Sequence, residues 1–245
     1  MGQLCSLAPL WNKMEKITKN GRSGASRIIG LILFISLAVS AVYALIRFIG
    51  APAEIPQDDP YTKVKADYLL ILVECLLGLV VTLIPTFISR RFKIILPNTV
   101  YVLYFIFLYC AIYLGEVLDF YYRVPFWDTI LHAFSGAMLG ALGFVLVDIL
   151  NRDSNVNVSL SPLFVSLFAF CFALAMGALW EIYEFSVDKI LGLNMQKHTT
   201  EFGIPLSGAA ALGDTMKDII IDAIAAFAVA VIGFFTNRKR RDNKE

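Results

Sequence analysis

The sequence predicts an all-α, polytopic membrane protein with about six transmembrane helices. Hydrophobic residues make up 58% of the 245 residues and charged residues only 17%, and the mean hydropathy is +0.70. Six apolar stretches each approach or exceed the roughly 20 residues that a helix needs to cross a bilayer. A composition this apolar excludes an ordinary soluble domain.

The six stretches follow one another with short polar connections. The first begins only after Arg27, behind a basic segment, and it is too long for the apolar part of a cleaved signal peptide. We therefore expect it to be retained. Pro85 predicts a kink near the end of the second stretch. The expected spans are Arg27–Ile49, Ala66–Ser89, Asn98–Asp119, Phe126–Leu150, Ser161–Ile190 and Ala209–Phe235.

Charge distribution predicts the orientation. If the N-terminus is cytoplasmic, most of the 21 Lys and Arg residues lie inside, and most of the 20 Asp and Glu residues lie outside or in the outer half of the bilayer. We expect a multi-pass membrane protein with both termini in the cytoplasm. Basic tails 1–26 and 237–245 flank one six-helix domain, 27–236. The C-terminal basic run is explained by anchoring at anionic lipid, so lipid is expected as a partner and nucleic acid is not.

Ionisable residues gather at one end of the last three spans. Residues three or four apart share a helix face, and at about 1.5 Å per residue His132 lies roughly 9 Å inside its span. Antiparallel helices would therefore bring these groups to overlapping depths in the outer half. They are Asp128 and His132 in the fourth span, Glu181 and Glu184 in the fifth, and Asp214, Asp218 and Asp222 in the sixth.

Such a cluster needs compensation, because one ionisable group near the bilayer centre costs about 2.5 to 3.5 kcal/mol on insertion scales. Five or more carboxylates and one imidazole cannot all be charged in a dry pocket, so either some are protonated or a cation lies among them. Oxygen-rich ligation suits Mg²⁺, Mn²⁺ or Ca²⁺ more than a structural Zn²⁺. We expect catalytic roles for His132 and Asp128. The expected metal ligands are Glu181, Glu184, Asp214, Asp218 and Asp222.

Several of these residues also have a purely structural explanation. Asp128 can cap the fourth helix or interact with its dipole, while Glu184 and Asp188 lie close enough to the surface to be simply solvated. Lys217 can neutralise one of the acids or extend outward. Glu181, Asp218 and Asp222 are the acids that such explanations fit least well.

Two further features concern packing and access. Gly136 and Gly140 form a GxxxG pattern, which allows close approach of a neighbouring helix. We expect packing within the bundle, with homodimerisation through these glycines as the alternative. The loop 191–208 contains Gly203 and Gly208 and is either an ordinary flexible loop or a lid over the site.

Three motifs follow one another in the sequence: D-x3-H, W-E-x2-E and D-x3-D. They read Asp128 to His132, Trp180-Glu181 to Glu184, and Asp214-Thr215-Met216-Lys217-Asp218. With these motifs, and from about Tyr113 to Ala226, the chain resembles the YjdF-like family of uncharacterised bacterial inner-membrane proteins. This resemblance implies a polytopic protein of a bacterial inner (plasma) membrane without supplying a reaction.

Three functions are compatible with this sequence. The leading hypothesis is a divalent-cation-dependent hydrolase or transferase acting on lipid headgroups or phosphoesters. The second is a cation- or proton-coupled transporter, and the third is a structural or assembly protein. No P-loop, serine-hydrolase elbow or HExxH motif favours a more definite enzyme class.

Overall fold

The computed structural model describes residues 23–56, 58–59, 61–92, 96–150, 160–200 and 204–242. Within these ranges the regular structure is helical, apart from one isolated bridge between Thr199 and Pro205. The all-α prediction is therefore confirmed. Most of the predicted N-terminal tail, the final residues of the C-terminal tail, and Gly203 lie outside the described residues.

Six helical segments of the described chain are long and apolar enough to span a membrane, as the sequence predicts. Their ends fall within a few residues of the expected ones, except that the last helix continues past Phe235 into the basic segment that was expected to form a tail. The helices are α1 Gly24–Gly50, α2 Lys65–Val81, α3 Ile84–Phe92, α4 Asn98–Leu108, α5 Phe120–Arg123, α6 Trp127–Leu150, α7 Pro162–Leu191 and α8 Ala209–Asp242. A π-helical segment, Tyr109–Val117, follows α4 directly.

The described chain forms two compact units. The first contains the described residues up to Gly50 together with Ile71–Asp119, and the second contains 51–70 together with the described residues from Phe120 onward. In the first unit, Gly30 of α1 faces the ring of Phe105, which is 1% exposed. Small and large residues thus interdigitate between α1 and α4.

The predicted kink at Pro85 is present as an interruption between α2 and α3. Thr82 and Leu83 form a turn there. Proline has no N–H to donate to the carbonyl of Val81 four residues earlier, and the hydroxyl of Tyr104 donates to that carbonyl instead, at 2.8 Å. The side chain of a neighbouring helix therefore satisfies a backbone group that would otherwise be costly in an apolar environment.

The third span departs from the expected regular helix. Residues Tyr109–Val117 are π-helical, and the N–H of Leu118 bonds to the carbonyl of Tyr113, five residues earlier. The wider turn brings Ile112 and Glu116 onto one buried face. The span then ends before Asp119, whose φ of 61° is incompatible with continuing a helix.

The second unit is built around α6, α7 and α8, which approach one another through small residues. A side chain at Gly143 would meet the Cα of Ala169 at 2.6 Å, and Gly140 faces Ala226 and Val229. The GxxxG surface is thus covered by α8 within the chain, in keeping with packing inside the bundle. A homodimer through the same glycines would require that contact to open.

The loop after α7 is anchored by Asp188. Gly192 ends α7 with φ 66°, and the backbone N–H groups of Met195 and Gln196 donate to the two oxygens of Asp188 at 2.8 and 3.0 Å. Asp188 is only 8% exposed, so the expectation that it is merely solvated was wrong. Its carboxylate is buried because it fixes the loop backbone.

Candidate functional site

Three helices of the second unit present polar side chains at the same end. α6 starts at Trp127, which places Asp128 in its first turn and His132 one turn further. α7 contributes Glu181, ten residues before it ends at Leu191. The N-terminal part of α8 supplies the remaining groups, which share one face because residues four apart lie on the same side of a helix. These are Asp214, Asp218 and Asp222.

His132 lies at the centre of this group. Its Nδ1 is 3.3 Å from Oδ2 of Asp222, whereas its Nε2 lies 3.7 Å from Oδ1 of Asp128 and 3.9 Å from Oε1 of Glu181. The two ring nitrogens therefore face different carboxylates. One carboxylate is close enough to hydrogen-bond and orient the ring, and the opposite nitrogen faces the other two across a wider gap.

Asp222 is held inside the helix interface and is 2% exposed. The hydroxyl of Ser135 donates to its Oδ1 at 3.2 Å. Glycines make room for it on both neighbouring helices: a Cβ at Gly177 would collide with its carboxylate, and a Cβ at Gly136 would approach its backbone oxygen to 2.7 Å. Gly136, which was expected to serve helix packing, thus also creates part of the space that Asp222 occupies, together with Gly177.

Two carboxylate oxygens in the cluster lack a hydrogen-bond partner. They are Oε1 of Glu181 and Oδ1 of Asp218, and no donor from the described residues bonds to either atom. The two residues are 5% and 4% exposed. A buried carboxylate oxygen without a hydrogen bond is costly, and these atoms face His132 and Lys217 respectively. Both can therefore accept a cation or a proton.

Lys217 is the ammonium group nearest to these acids in the described chain. Its Nζ lies 3.9 Å from Asp128, 3.6 Å from Asp214 and 3.7 Å from Asp218. The lysine side chain is 45% exposed, so it reaches the cluster from its open side. One ammonium and one imidazole cannot balance the charge of five carboxylates, even if His132 is protonated.

The structure brings together most of the residues expected from the sequence. Ligand atoms of Asp128, His132 and Asp218 lie within 4.8 Å of one another, close enough to share an ion. Of the expected metal ligands, only Asp218 belongs to that group of three. The other two members, Asp128 and His132, were expected to be catalytic. Glu184 lies one helical turn beyond Glu181 and is only partly buried.

Polar residues that the sequence patterns did not single out connect the cluster to the loop after α7. Nε2 of Gln196 donates to the hydroxyl oxygen of Thr215 at 2.9 Å, and the same hydroxyl is hydrogen-bonded to Glu181. Gln196 is also fixed by Asp188 through its backbone N–H. Gln196 lies within the range that resembles the YjdF-like family, but its contact with Thr215 depends on the fold of the loop and has no local signal in the sequence.

Comparison with known proteins gives a relationship without a described activity. A protein of Thermotoga maritima, described only as uncharacterized, is 34% identical over 120 residues, which cover 49% of this chain and 53% of that protein. The chain therefore aligns with about half the length of this relative. No solved structure matches. The family model described as "Predicted membrane protein (DUF2238)" matches residues 60–239, a range that contains every residue of the cluster, and the chain belongs to this family.

Proposed function

We propose that the cluster binds a divalent cation and that the protein uses this cation to hydrolyse or transfer phosphoesters at lipid headgroups. The observation that carries the proposal is the pair of buried carboxylate oxygens, on Glu181 and Asp218, that have no hydrogen-bond partner in the described structure. A cation with water in its coordination shell would satisfy both. An acidic cluster on a solvated surface would leave no such atoms.

The ligands that fit best are Asp128, Asp218 and Nε2 of His132. Asp222 supports this assignment, because a carboxylate bonded to Nδ1 keeps the proton on that nitrogen and directs the lone pair of Nε2 toward the other acids. Two carboxylates and one imidazole, completed by water, suit Mg²⁺ or Mn²⁺, and Ca²⁺ if further oxygens join.

Glu181 would then serve as the general base for a water molecule that the cation polarises. Its Oε1 lies 3.9 Å from Nε2 of His132, beside the expected ligand atoms. The carboxylate would accept a proton from the water, and the resulting hydroxide would attack phosphorus while the bond to the leaving oxygen breaks. Transfer of the same proton from Glu181 to the leaving oxygen completes the hydrolysis and restores the carboxylate.

The position along the helices supports a headgroup substrate. Asp128 is the second residue of α6, and at about 1.5 Å per residue the cluster begins within a few ångströms of the helix end. Headgroup phosphates occupy the corresponding region of a bilayer. The proposal places the chain in a bacterial plasma membrane with both termini in the cytoplasm, as the charge distribution predicts, and the resemblance to YjdF-like proteins supports treating the three motifs as one site.

Transport is less well supported by the same helices. Beyond Asp222, the contacts between α6, α7 and α8 are made by small apolar residues such as Gly140, Ala226 and Ala169. A proton or cation path needs polar groups or water at successive depths. The acids and the imidazole lie at the end that carries His132, and toward the other end the buried hydroxyl of Ser166 in α7 donates to the carbonyl of Pro162 in its own helix.

The experiment uses the full-length protein in lipid nanodiscs. We expect Mn²⁺ to bind, as followed by loss of the electron paramagnetic resonance signal of free Mn²⁺, and phosphate to be released from phosphatidic acid in a Mn²⁺-dependent manner. Asp218→Asn should abolish both signals, whereas Asp148→Asn, an exposed acid elsewhere on α6, should change neither. Equal Mn²⁺ binding by wild type and Asp218→Asn would refute the site. Binding without turnover of phosphoesters would refute the enzymatic part alone.

A further inference from the structure

We infer that Lys217 occupies the cation position of the ion-free protein, and that an arriving divalent cation displaces its ammonium group, which then binds a phosphate oxygen of the substrate. This inference rests on the proposed cation site and adds the group that competes with the cation and then recognises the substrate. Neither role follows from the composition of the acidic cluster alone.

The geometry shows an ammonium held by several charges. Nζ of Lys217 lies between 3.6 and 3.9 Å from three carboxylates. Each distance exceeds the roughly 2.7–2.9 Å of a strong charge-assisted hydrogen bond. An ammonium shared in this way neutralises several acids weakly and leaves Oδ1 of Asp218 without a hydrogen bond, so a small divalent ion can compete with it for the same oxygens.

Lysine and metal cannot keep the same position. Two of the three carboxylates around Nζ, Asp128 and Asp218, belong to the group whose ligand atoms lie within 4.8 Å of one another. A divalent ion bound by them would lie a few ångströms from the ammonium, where charges of the same sign repel strongly in a partly buried site. The lysine side chain is 45% exposed and has a flexible stem, so it can swing toward the open side of the cluster.

At the open side of the cluster, the displaced ammonium of Lys217 can bind the substrate. It would remain within reach of the bound ion because its backbone is fixed next to Asp218 in α8. A cation and an ammonium on two sides of a phosphoryl group stabilise the negative charge on its oxygens. The substrate class is therefore an anionic phosphoester, recognised through its phosphate oxygens.

Binding of Mn²⁺ alone tests the displacement. Lys217→Met removes the competing charge and keeps a long side chain, so its affinity for Mn²⁺ should rise by about tenfold or more, because the like-charge repulsion is gone. Lys217→Arg keeps the charge and should bind no more tightly than wild type. Lys189→Met is the matched control, since this exposed lysine of α7 lies outside the cluster and its loss reports only the general effect of net charge.

Thermal unfolding gives a second readout. Without added metal, Lys217→Met should unfold at a lower temperature than wild type because the acids lose their ammonium. Saturating Mn²⁺ should raise its melting temperature by more than it raises that of wild type, as tighter binding requires. Unchanged or weaker Mn²⁺ affinity in Lys217→Met, while wild type binds, would overturn the displacement and leave the cation site itself standing. Absence of Mn²⁺ binding in all variants would overturn both.

Added phosphate tests whether the ammonium of Lys217 binds a phosphate oxygen. In wild type, inorganic phosphate should tighten Mn²⁺ binding, and the effect should be lost in Lys217→Met, because an anion that bridges two cations couples their binding. Phosphatidic acid in the nanodisc is compared with inorganic phosphate in solution. If inorganic phosphate and phosphatidic acid both tighten Mn²⁺ binding, the phosphoryl group is what Lys217 recognises. If only the lipid tightens Mn²⁺ binding, recognition requires the lipid headgroup. Equal tightening in wild type and Lys217→Met would refute the role of Lys217 in phosphate binding.

Discussion

At the scale of single residues, the two faces of His132 differ in what they contact. Asp222 approaches Nδ1 to 3.3 Å and is itself fixed by Ser135, whereas Asp128 and Glu181 remain 3.7 and 3.9 Å from Nε2. The tighter side is built to orient the ring. The looser side leaves room for a ligand, and this asymmetry separates a supporting carboxylate from those expected to take part in binding.

Asp222→Asn tests the supporting role. The amide oxygen can still accept a hydrogen bond from Nδ1, so the variant should fold, but loss of the charge lowers the basicity of the ring. We expect Mn²⁺ affinity to fall by about 10- to 100-fold, the usual effect of altering a partner of a metal-bound histidine. Ser135→Ala removes one bond to Asp222 and should cost less. Mn²⁺ affinity equal to wild type in Asp222→Asn would mean that Asp222 only fills space between the helices.

Glu181→Gln distinguishes a reactive group from a structural one. Because Oε1 of Glu181 has no hydrogen-bond partner in the described chain, replacing the carboxylate by a neutral amide should not lower the melting temperature of the metal-free protein. Mn²⁺ should still bind, while Mn²⁺-dependent phosphate release should fall by about 10²- to 10⁴-fold. A lower melting temperature with unchanged turnover would instead support a cluster that only holds the helices together.

At the scale of helices, glycines set the distances on which the cluster depends. The position of Asp222 requires that neither Gly136 nor Gly177 carry a side chain, because both face it directly. Gly140, one turn along α6, is less constrained: a Cβ there would meet Val229 at an ordinary 3.4 Å. The GxxxG pattern therefore contains two glycines with different structural requirements.

Substitution by alanine should reveal the difference. Gly136→Ala places a methyl group 2.7 to 2.9 Å from backbone atoms of Asp222. These backbone atoms cannot rotate away as a side chain can, so we expect the free energy of unfolding to fall by about 1–3 kcal/mol. Gly140→Ala should stay within about 0.5 kcal/mol of wild type. Unfolding is followed in detergent, with particle mass measured in parallel. A change of oligomeric state without loss of stability in Gly136→Ala would favour the homodimer alternative.

The sequence predicts the six spans and the break at Pro85, but it does not predict the π-helical segment or the buried position of Asp188. Hydropathy and length predict the six spans because crossing a bilayer imposes both, and Pro85 predicts the break before α3 because a missing N–H has a fixed local effect. The π-helical turn before Leu118 has no comparable local signal. Asp188 looked like a surface acid because its partners, the N–H groups of Met195 and Gln196, meet it only once the loop has folded back.

At the scale of the whole chain, the membership of the cluster was predictable and its internal geometry was not. Antiparallel spans and helical spacing place Asp128, Glu181 and Asp218 at similar depths. Which acids come close to each other depends on the rotation of each helix about its axis, and that is set by the small residues between helices. The sequence therefore predicted that Asp128, Glu181 and Asp218 lie close together, and it could not show that Asp222 pairs with His132 while Lys217 contacts three acids.

The orientation of the chain decides which side of the membrane supplies the substrate, and it can be measured directly. The charge distribution predicts that Asp58 lies outside and Arg238 inside. In a variant without its four native cysteines, Asp58→Cys should react with a membrane-impermeant maleimide on intact bacterial cells. Arg238→Cys should react only after the cells are permeabilised, because its position adjoins the basic end of α8. The reverse pattern would place the His132 cluster at the cytoplasmic face and its substrate among inner-leaflet lipids.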